Sequence, residues 1–275
     1  MGNLANVLIF TDMDGTLLDH HDYSFAPAIQ TLEKLKNLHI PVIPNTSKTR
    51  AELMQLREAL KLDGAFIVEH GAAAYLPIDS LPKQPEDTEL YGEFWCKAFS
   101  PPRTRWLKLL KAAETKFSGQ FRYFATMTIE ELMQSTGLNA ESAKLAAQRE
   151  FGEPIEWLGT SQQKHEFIEY LMGQGANPVE GGRYIHLVGE CNKGAAMKWL
   201  KNQYHQQCPE RTWQTIALGD GKNDIAMLEA ADVAIRILSP TNSLPVIHHS
   251  EHLITSSLYG PSGWAECLER LLFNA

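Results

Sequence analysis

Two short acidic runs are the first features of this chain that can do chemistry. Asp12-Met13-Asp14-Gly15-Thr16 follows the apolar stretch Val7-Leu8-Ile9-Phe10 after a single residue, Thr11. In an extended segment residues i and i+2 share a face, so Asp12 and Asp14 point to one site while Met13 turns away. Carboxylates held that close repel unless a cation or a proton is shared between them. Gly15 lets the chain turn sharply and leaves backbone N–H groups free to meet an anion. The second run, Gly219-Asp220-Gly221-Lys222-Asn223-Asp224, again follows an apolar stretch, Thr215-Ile216-Ala217-Leu218. It offers hard oxygen donors and no His or Cys, a set that suits Mg2+, which takes one or two carboxylates plus a phosphate oxygen.

Two smaller signals stand at other strand ends. Thr46-Ser47-Lys48 follows a short apolar run, where a hydroxyl can hold a phosphoryl oxygen or simply cap the next helix. Lys193 opens a later helix; at the same edge its ammonium would offset the charge of a transferring phosphoryl group, and elsewhere it would be a solvated charge.

The elements that must position these residues alternate. The periodicity predicts strands over 5–11, 40–46 and 65–68, with helices after Pro27 and over 49–60, in βαβαβ order. Such alternation implies a parallel sheet whose ligand site lies beyond the carboxyl ends of its strands. Then the texture changes: an acid- and Pro-rich link leads into amphipathic helices over 103–117, 128–136 and 142–150, with short strands at 155–158 and 184–188. After Lys193 the alternation resumes, with a helix to 206, a strand at 215–218, a helix at 224–230, a strand at 233–235 and a last helix near Pro261. The expected architecture is α/β, a Rossmann-like three-layer parallel-sheet core over 1–83 and 187–275, interrupted by an inserted α+β domain over 84–186.

With 275 residues, 44% hydrophobic and 21% charged, the chain has material for about two ordinary globular domains and is neither disordered nor a disulfide scaffold. Its 25 Lys and Arg against 33 Asp and Glu leave −8, which offers no footprint for nucleic-acid phosphates. Cys96, Cys191, Cys208 and Cys267 form no C-x-x-C pair, which argues against zinc and for reduced thiols in a cytoplasmic setting. No signal peptide or membrane span is expected, since the first residues lack a basic region and no apolar run approaches about 18 residues. Oligomeric state is not legible.

In that order, DMDGT, the Thr after the second strand, the lysine after the insertion and GDGKND resemble the four motifs of the haloacid dehalogenase (HAD) superfamily of aspartate-nucleophile phosphatases. The position of the insertion resembles the branch with a C2-type cap. NTSKT, VEHGAA, GGRYIHLVGECNKG and GPSGW are similar to the members of that branch that act on mannosyl-3-phosphoglycerate. Many relatives carry Thr-Gly-Arg and Glu-Asn-Gly where this chain has Thr46-Ser47-Lys48 and Glu69-His70-Gly71.

The resemblance implies Asp12 as nucleophile, Asp14 as general acid and base, and Thr46 and Lys193 as holders of the phosphoryl oxygens. It implies Mg2+ on Asp12, the Asp14 carbonyl and Asp220, with Asp224 either a further ligand or placed just behind them. It implies a small phosphorylated sugar or phosphoglycerate glycoside as substrate, selected by Ser47, Lys48, Glu69, His70, Arg183 and Asn223. Arg183 would fork onto a glycerate carboxylate, Glu69 would take sugar hydroxyls, and Asn223 would orient the phosphate or Lys193. Alternatives under the same motifs are a phosphosugar mutase, a general sugar phosphatase, or a non-catalytic phosphosugar-binding regulator. Gly260-Pro261-Ser262-Gly263-Trp264 reads either as a helix start with a packed Trp or as N–H groups and an aromatic face near the substrate.

Overall fold

Val7–Thr11 forms β1, buried at every position as a strand covered on both faces should be, in a computed structural model that describes residues 6–181, 183–248 and 252–273. The chain continues through α1 (Ile29–Asn37), β2 (Val42–Pro44), α2 (Arg50–Leu60) and β3 (Phe66–Val68), in the predicted order. It then makes three strands that periodicity does not reveal, β4 (Ala73–Pro77), β5 (Glu89–Tyr91) and β6 (Phe94–Ala98). These join β3 in a second sheet ordered β3-β4-β6-β5, in which β3 runs antiparallel to β4 and β5 to β6. β5 is exposed throughout and β6 half-buried, so neither shows the apolar alternation of a covered strand.

The next elements are α3 (Arg103–Lys116), β7 (Phe121–Tyr123), α4 (Ile129–Thr136), α5 (Ala140–Ala146), β8 (Glu153–Trp157), α6 (Ser161–Gly173), β9 (Asn177–Glu180) and β10 (Ile185–Val188). Their strands form an antiparallel sheet ordered β7-β8-β10-β9. Trp106 and Leu110 of α3 and Phe167 and Leu171 of α6 pack with Ile155 and Ile185 of that sheet. α4 begins with a capping box: Thr128 accepts from the Glu131 N–H at 3.2 Å and Glu131 accepts from the Thr128 N–H at 2.8 Å.

The chain closes with α7 (Lys193–Gln207), β11 (Gln214–Gly219), α8 (Ile225–Ala230), β12 (Val233–Leu238), β13 (Leu253–Tyr259) and α9 (Gly260–Leu268). The main sheet runs β13-β12-β11-β1-β2, and every neighbouring pair in it is parallel. β1 and β11 sit at its centre, where chain connections leave in opposite directions. Ligands bind at such a switch point in open α/β sheets.

Packing divides the chain into two units. One holds the described residues up to Ser47, with Arg57–Lys97 and those from Asn192 onward; the other holds Lys48–Leu56 and Ala98–Cys191. The first two turns of α2, as far as Leu56, thus belong with the inserted residues. Thr49 Oγ1 donates to the Leu145 carbonyl at 3.0 Å, and Arg50 makes a two-nitrogen contact to Glu150, with its Nη2 2.9 Å from Oε1. Among the described residues no helix is long and apolar enough to cross a membrane.

Candidate active site

The sheet register brings the two acidic runs together. Thr11 at the end of β1 pairs with Leu218 of β11, and the Asp12 N–H extends the ladder to the Leu218 carbonyl at 2.9 Å. Asp12 and Asp220 therefore leave adjacent parallel strands at the same edge. After Asp12 the chain folds back on itself: the N–H groups of Thr16 and Leu18 both donate to the Met13 carbonyl, and that of Gly15 to Leu18. Gly15 has φ +79°, and a Cβ there would lie 2.7 Å from Asp220 Oδ2. Only glycine allows both the turn and the approach of the second acidic run. Asp220 is oriented by Thr16 Oγ1 at 3.3 Å and by Asn242 Nδ2 at 2.8 Å.

Lys193 stands at the start of α7, whose cap is Asn192, accepting from the Ala195 N–H at 2.8 Å. Its ammonium, buried to 1% exposure, donates to Asp12 Oδ1 at 2.5 Å and to Asp224 Oδ1 at 2.6 Å. The other oxygen of Asp224 accepts from the backbone N–H groups of Asp220 and Gly221, at 3.1 and 3.0 Å. Asp224 thus closes its own loop and holds Lys193. Asn223, expected to orient the phosphate or Lys193, is exposed, and the partners seen on Lys193 are the two aspartates.

Thr46 reaches the same unit from β2, which pairs with β1. It is fully buried; its N–H donates to the Ile67 carbonyl and its carbonyl accepts from the His70 N–H, both at 3.0 Å. Glu69, His70 and Gly71 take left-handed φ values in succession, +49°, +63° and +87°. Two non-glycine residues in that region carry strain of the kind that clusters at functional sites. A Cβ at Gly71 would lie 2.4 Å from the Asn192 carbonyl, so glycine lets this turn press against the residue that precedes Lys193. Glu69 and His70 are both buried, and Ser47 is half-buried.

Lys48 and Arg183 fall in the other unit. Lys48 Nζ lies 3.9 Å from Glu52 Oε1. Arg183 Nη1 donates to the carbonyls of Ser135 and Thr136 at 3.3 and 2.9 Å, which satisfies the carboxyl end of α4.

Burial, and then the charge of Asp224, pushes the Asp12 carboxyl well above the ordinary aspartate value against the pull of Lys193, with Asp220 adding to the rise. Burial and Asp224 raise Asp220 as well, opposed by Asn242. Burial alone would lower Lys193, but Asp12 and Asp224 outweigh it and hold the ammonium charged. One oxygen from each of Asp12, Asp220 and Asp224 lies within 4.8 Å of the others. Three carboxylates and one ammonium sum to a formal −2, the charge that one divalent cation balances. With oxygen donors alone, the set fits Mg2+.

Periodicity does not point to four supporting residues. Asn242 sits in a polar loop with no motif, and Thr16 is only the last residue of the first run. Asn45 donates its amide to the Lys193 carbonyl at 2.9 Å. Trp264 Nε1–H donates to Thr11 Oγ1 at 3.1 Å, and that hydroxyl donates to the Asp12 carbonyl at 2.7 Å. The Trp of the GPSGW segment is therefore packed behind the acidic run.

Comparison with known proteins adds three findings. Residues 9–84 and 162–247 match the family described as haloacid dehalogenase-like hydrolase. Two curated proteins named glucosyl-3-phosphoglycerate/mannosyl-3-phosphoglycerate phosphatase are similar along almost their whole length. That of Methanococcoides burtonii is 35% identical, covering 96% of this chain and 97% of the relative. That of Persephonella marina is 32% identical, covering 97% of each. Among solved structures, a HAD subclass IIB sugar phosphatase superposes with a TM-score of 0.63 at 14% identity, covering 96% of this chain and 98% of the other, which is a likeness of fold.

Proposed function

The chain belongs to the haloacid dehalogenase-like hydrolases and is a phosphatase, and from that premise we propose that it is a Mg2+-dependent phosphomonoesterase of glycosyl-3-phosphoglycerates, with mannosyl-3-phosphoglycerate the first substrate to try. The observation that carries the reading is the buried cluster in which Lys193 joins Asp12 to Asp224 beside Asp220. The substrate follows from the names of relatives that span nearly the whole chain.

In this mechanism an Asp12 oxygen attacks phosphorus in line, the bond to the ester oxygen breaks, and an aspartyl-phosphate forms. Asp14 gives its proton to the departing alkoxide, then removes one from the water that attacks the aspartyl-phosphate, releasing phosphate and restoring Asp12. Lys193 and Thr46 hold the phosphoryl oxygens as charge moves onto them. Asp12, the Asp14 carbonyl, Asp220 and Asp224 would hold a Mg2+ ion, which when bound would supply positive charge to screen carboxylate from phosphate. Ser47, Lys48, Glu69, His70, Asn223 and, from the inserted domain proposed over 84–186, Arg183 are the substrate-selecting residues of this proposal. The setting proposed is cytoplasmic, consistent with four free cysteines.

Phosphate release from mannosyl- and glucosyl-3-phosphoglycerate, compared with a panel of sugar phosphates with and without Mg2+, tests the reading. A kcat/KM for one of these two glycosides well above the panel supports it. Equal turnover across the panel overturns the substrate, and turnover by Asp12→Asn overturns the nucleophile.

A further inference from the structure

The segment Gly260-Pro261-Ser262-Gly263-Trp264 ends on an indole that the phosphoryl-transfer steps do not use. The indoles of Trp106 and Trp157 donate to backbone carbonyls. That of Trp264, wholly buried in α9, reaches a side chain instead: Nε1–H donates to Thr11 Oγ1 at 3.1 Å. Thr11, equally buried, is the last residue of β1 and directly precedes Asp12. A Cβ at Gly263 would lie 2.2 Å from the Leu258 carbonyl, so glycine lets the start of α9 fold tightly against the end of β13.

The polarity of this contact is fixed at both ends. An indole N–H can only donate and a backbone carbonyl can only accept. With Trp264 donating to Thr11 Oγ1, the hydroxyl proton is left to point at the Asp12 carbonyl, 2.7 Å away. Burial removes solvent as a rival partner, so the loss of either donor leaves a buried polar group unpaired.

What these bonds hold is the peptide that follows the nucleophile. The peptide before Asp12 is clamped by the sheet on both sides: the Thr11 carbonyl accepts from the Asn45 N–H at 2.8 Å, and the Asp12 N–H donates to the Leu218 carbonyl at 2.9 Å. β1 ends there, and the next peptide has its carbonyl on the Thr11 hydroxyl. With both peptides held, φ and ψ of Asp12 are set, and with them the direction in which Cβ carries the carboxylate. Lys193 then holds one carboxylate oxygen. In-line attack is sensitive to that direction, since a misplacement of about 1 Å can cost about 10²-fold in rate.

We propose that Trp264 is a positioning residue for the nucleophile, acting through the Thr11 hydroxyl on the peptide between Asp12 and Met13. The proposal deepens the phosphatase reading and rests on its assignment of Asp12 as nucleophile.

The test uses four variants. Trp264→Phe keeps an aromatic ring and removes the N–H, Thr11→Val keeps the branched shape and removes the hydroxyl, Thr11→Ser keeps the hydroxyl, and a double variant joins Thr11→Val to Trp264→Phe. Circular dichroism with a melting curve establishes that each is folded. The substrate is an aryl phosphate, whose hydrolysis does not depend on the glycoside assignment. Stopped-flow release of the aryl alcohol in the first turnover reads attack by Asp12, and competitive inhibition by inorganic phosphate reads binding. Trp264→Phe and Thr11→Val should each slow the first turnover about tenfold, with phosphate inhibition within about twofold of the wild type. Thr11→Ser should stay within about threefold, and the double variant should be no slower than Thr11→Val, because both changes break one series of bonds. A first turnover within about twofold of the wild type in either single variant overturns the proposal. So do losses that multiply in the double variant, or that come with an equal weakening of phosphate inhibition, the mark of a general loosening. An inert Asp12→Asn beside an undiminished Trp264→Phe removes this proposal alone. Turnover by Asp12→Asn, or a wild type inert toward aryl phosphate and both glycosides, removes the nucleophile reading and the proposal with it.

Discussion

The two units handle charge in opposite ways. In the unit built on the main sheet, three buried aspartates cluster beside one ammonium that bonds two of them, and burial pushes two of the acids upward. In the other unit Glu153 and Glu156 are each matched by an arginine. Glu153, wholly buried, meets Arg103 Nε at 2.5 Å and the Ala125 N–H at 2.7 Å, and Glu156 is paired with Arg122. The lesson is that burying a charge marks a reactive site only where its partners fail to balance it. A balanced buried pair holds a fold together; an unbalanced cluster is completed by what it binds.

That contrast is open to direct attack. Asp12→Asn keeps the shape of the cluster and removes its nucleophile, so kcat with a glycosyl phosphoglycerate should fall by about 10⁴-fold or more with an unchanged far-UV spectrum. Comparable turnover would place the chemistry elsewhere. Glu153→Gln should do the reverse: it breaks a buried pair, leaves Arg103 without its counter-charge and lowers unfolding free energy by about 3 kcal/mol in denaturant titration. The folded fraction should retain its aryl-phosphatase kcat. A loss of kcat instead would show that the balanced unit also serves the chemistry.

Gly15→Ala sharpens the geometry. A methyl 2.7 Å from Asp220 Oδ2, at φ +79°, should displace one acidic run from the other and reduce kcat by about 10²-fold. Weakened Mg2+ binding measured by calorimetry should accompany the loss. The smallest effect concerns pH. Asp232, whose burial would raise it, is held below the ordinary value by Lys201 Nζ at 2.8 Å and by the N–H and hydroxyl of Thr215. Its folded-state pKa is depressed, so its stabilisation is present above the unfolded aspartate value and is lost as pH falls through the folded one. Asp232→Asn should therefore lower the melting temperature at neutral pH, where that stabilisation is present, and flatten the acid limb, so that variant and wild type converge at low pH.

Sequence patterns reach the main-sheet unit further than they reach its neighbour, for physical reasons. A strand buried on both faces writes a continuous apolar run, and parallel strands place the residues at their carboxyl ends along one edge. The link from Asp12 to Asp220 is therefore readable. Exposed strands such as β5 carry no such signature. α6 buries only Phe167 and Leu171 and so shows little of a helical stripe, although Thr160 and Gln163 form a capping box at its start. α5 ends at Ala146, short of the expected 150, and Glu150 pairs with Arg50 instead. Asn242 and Trp264 act across folds of the chain that no local pattern encodes; the Trp264–Thr11 bond spans 253 positions.

The same long reach bears on how the protein is made. The ammonium partner of Asp12 emerges from the ribosome 181 residues after it, and Asp224 later still. β1, an inner strand, can pair with β11 only after the whole intervening segment has emerged. Until then its apolar faces lack that cover, a condition that invites mis-association in newly made chains. The enzyme's competence to touch a phosphate thus waits on residues made long after its nucleophile, and a truncated product ending before position 220 would be inert.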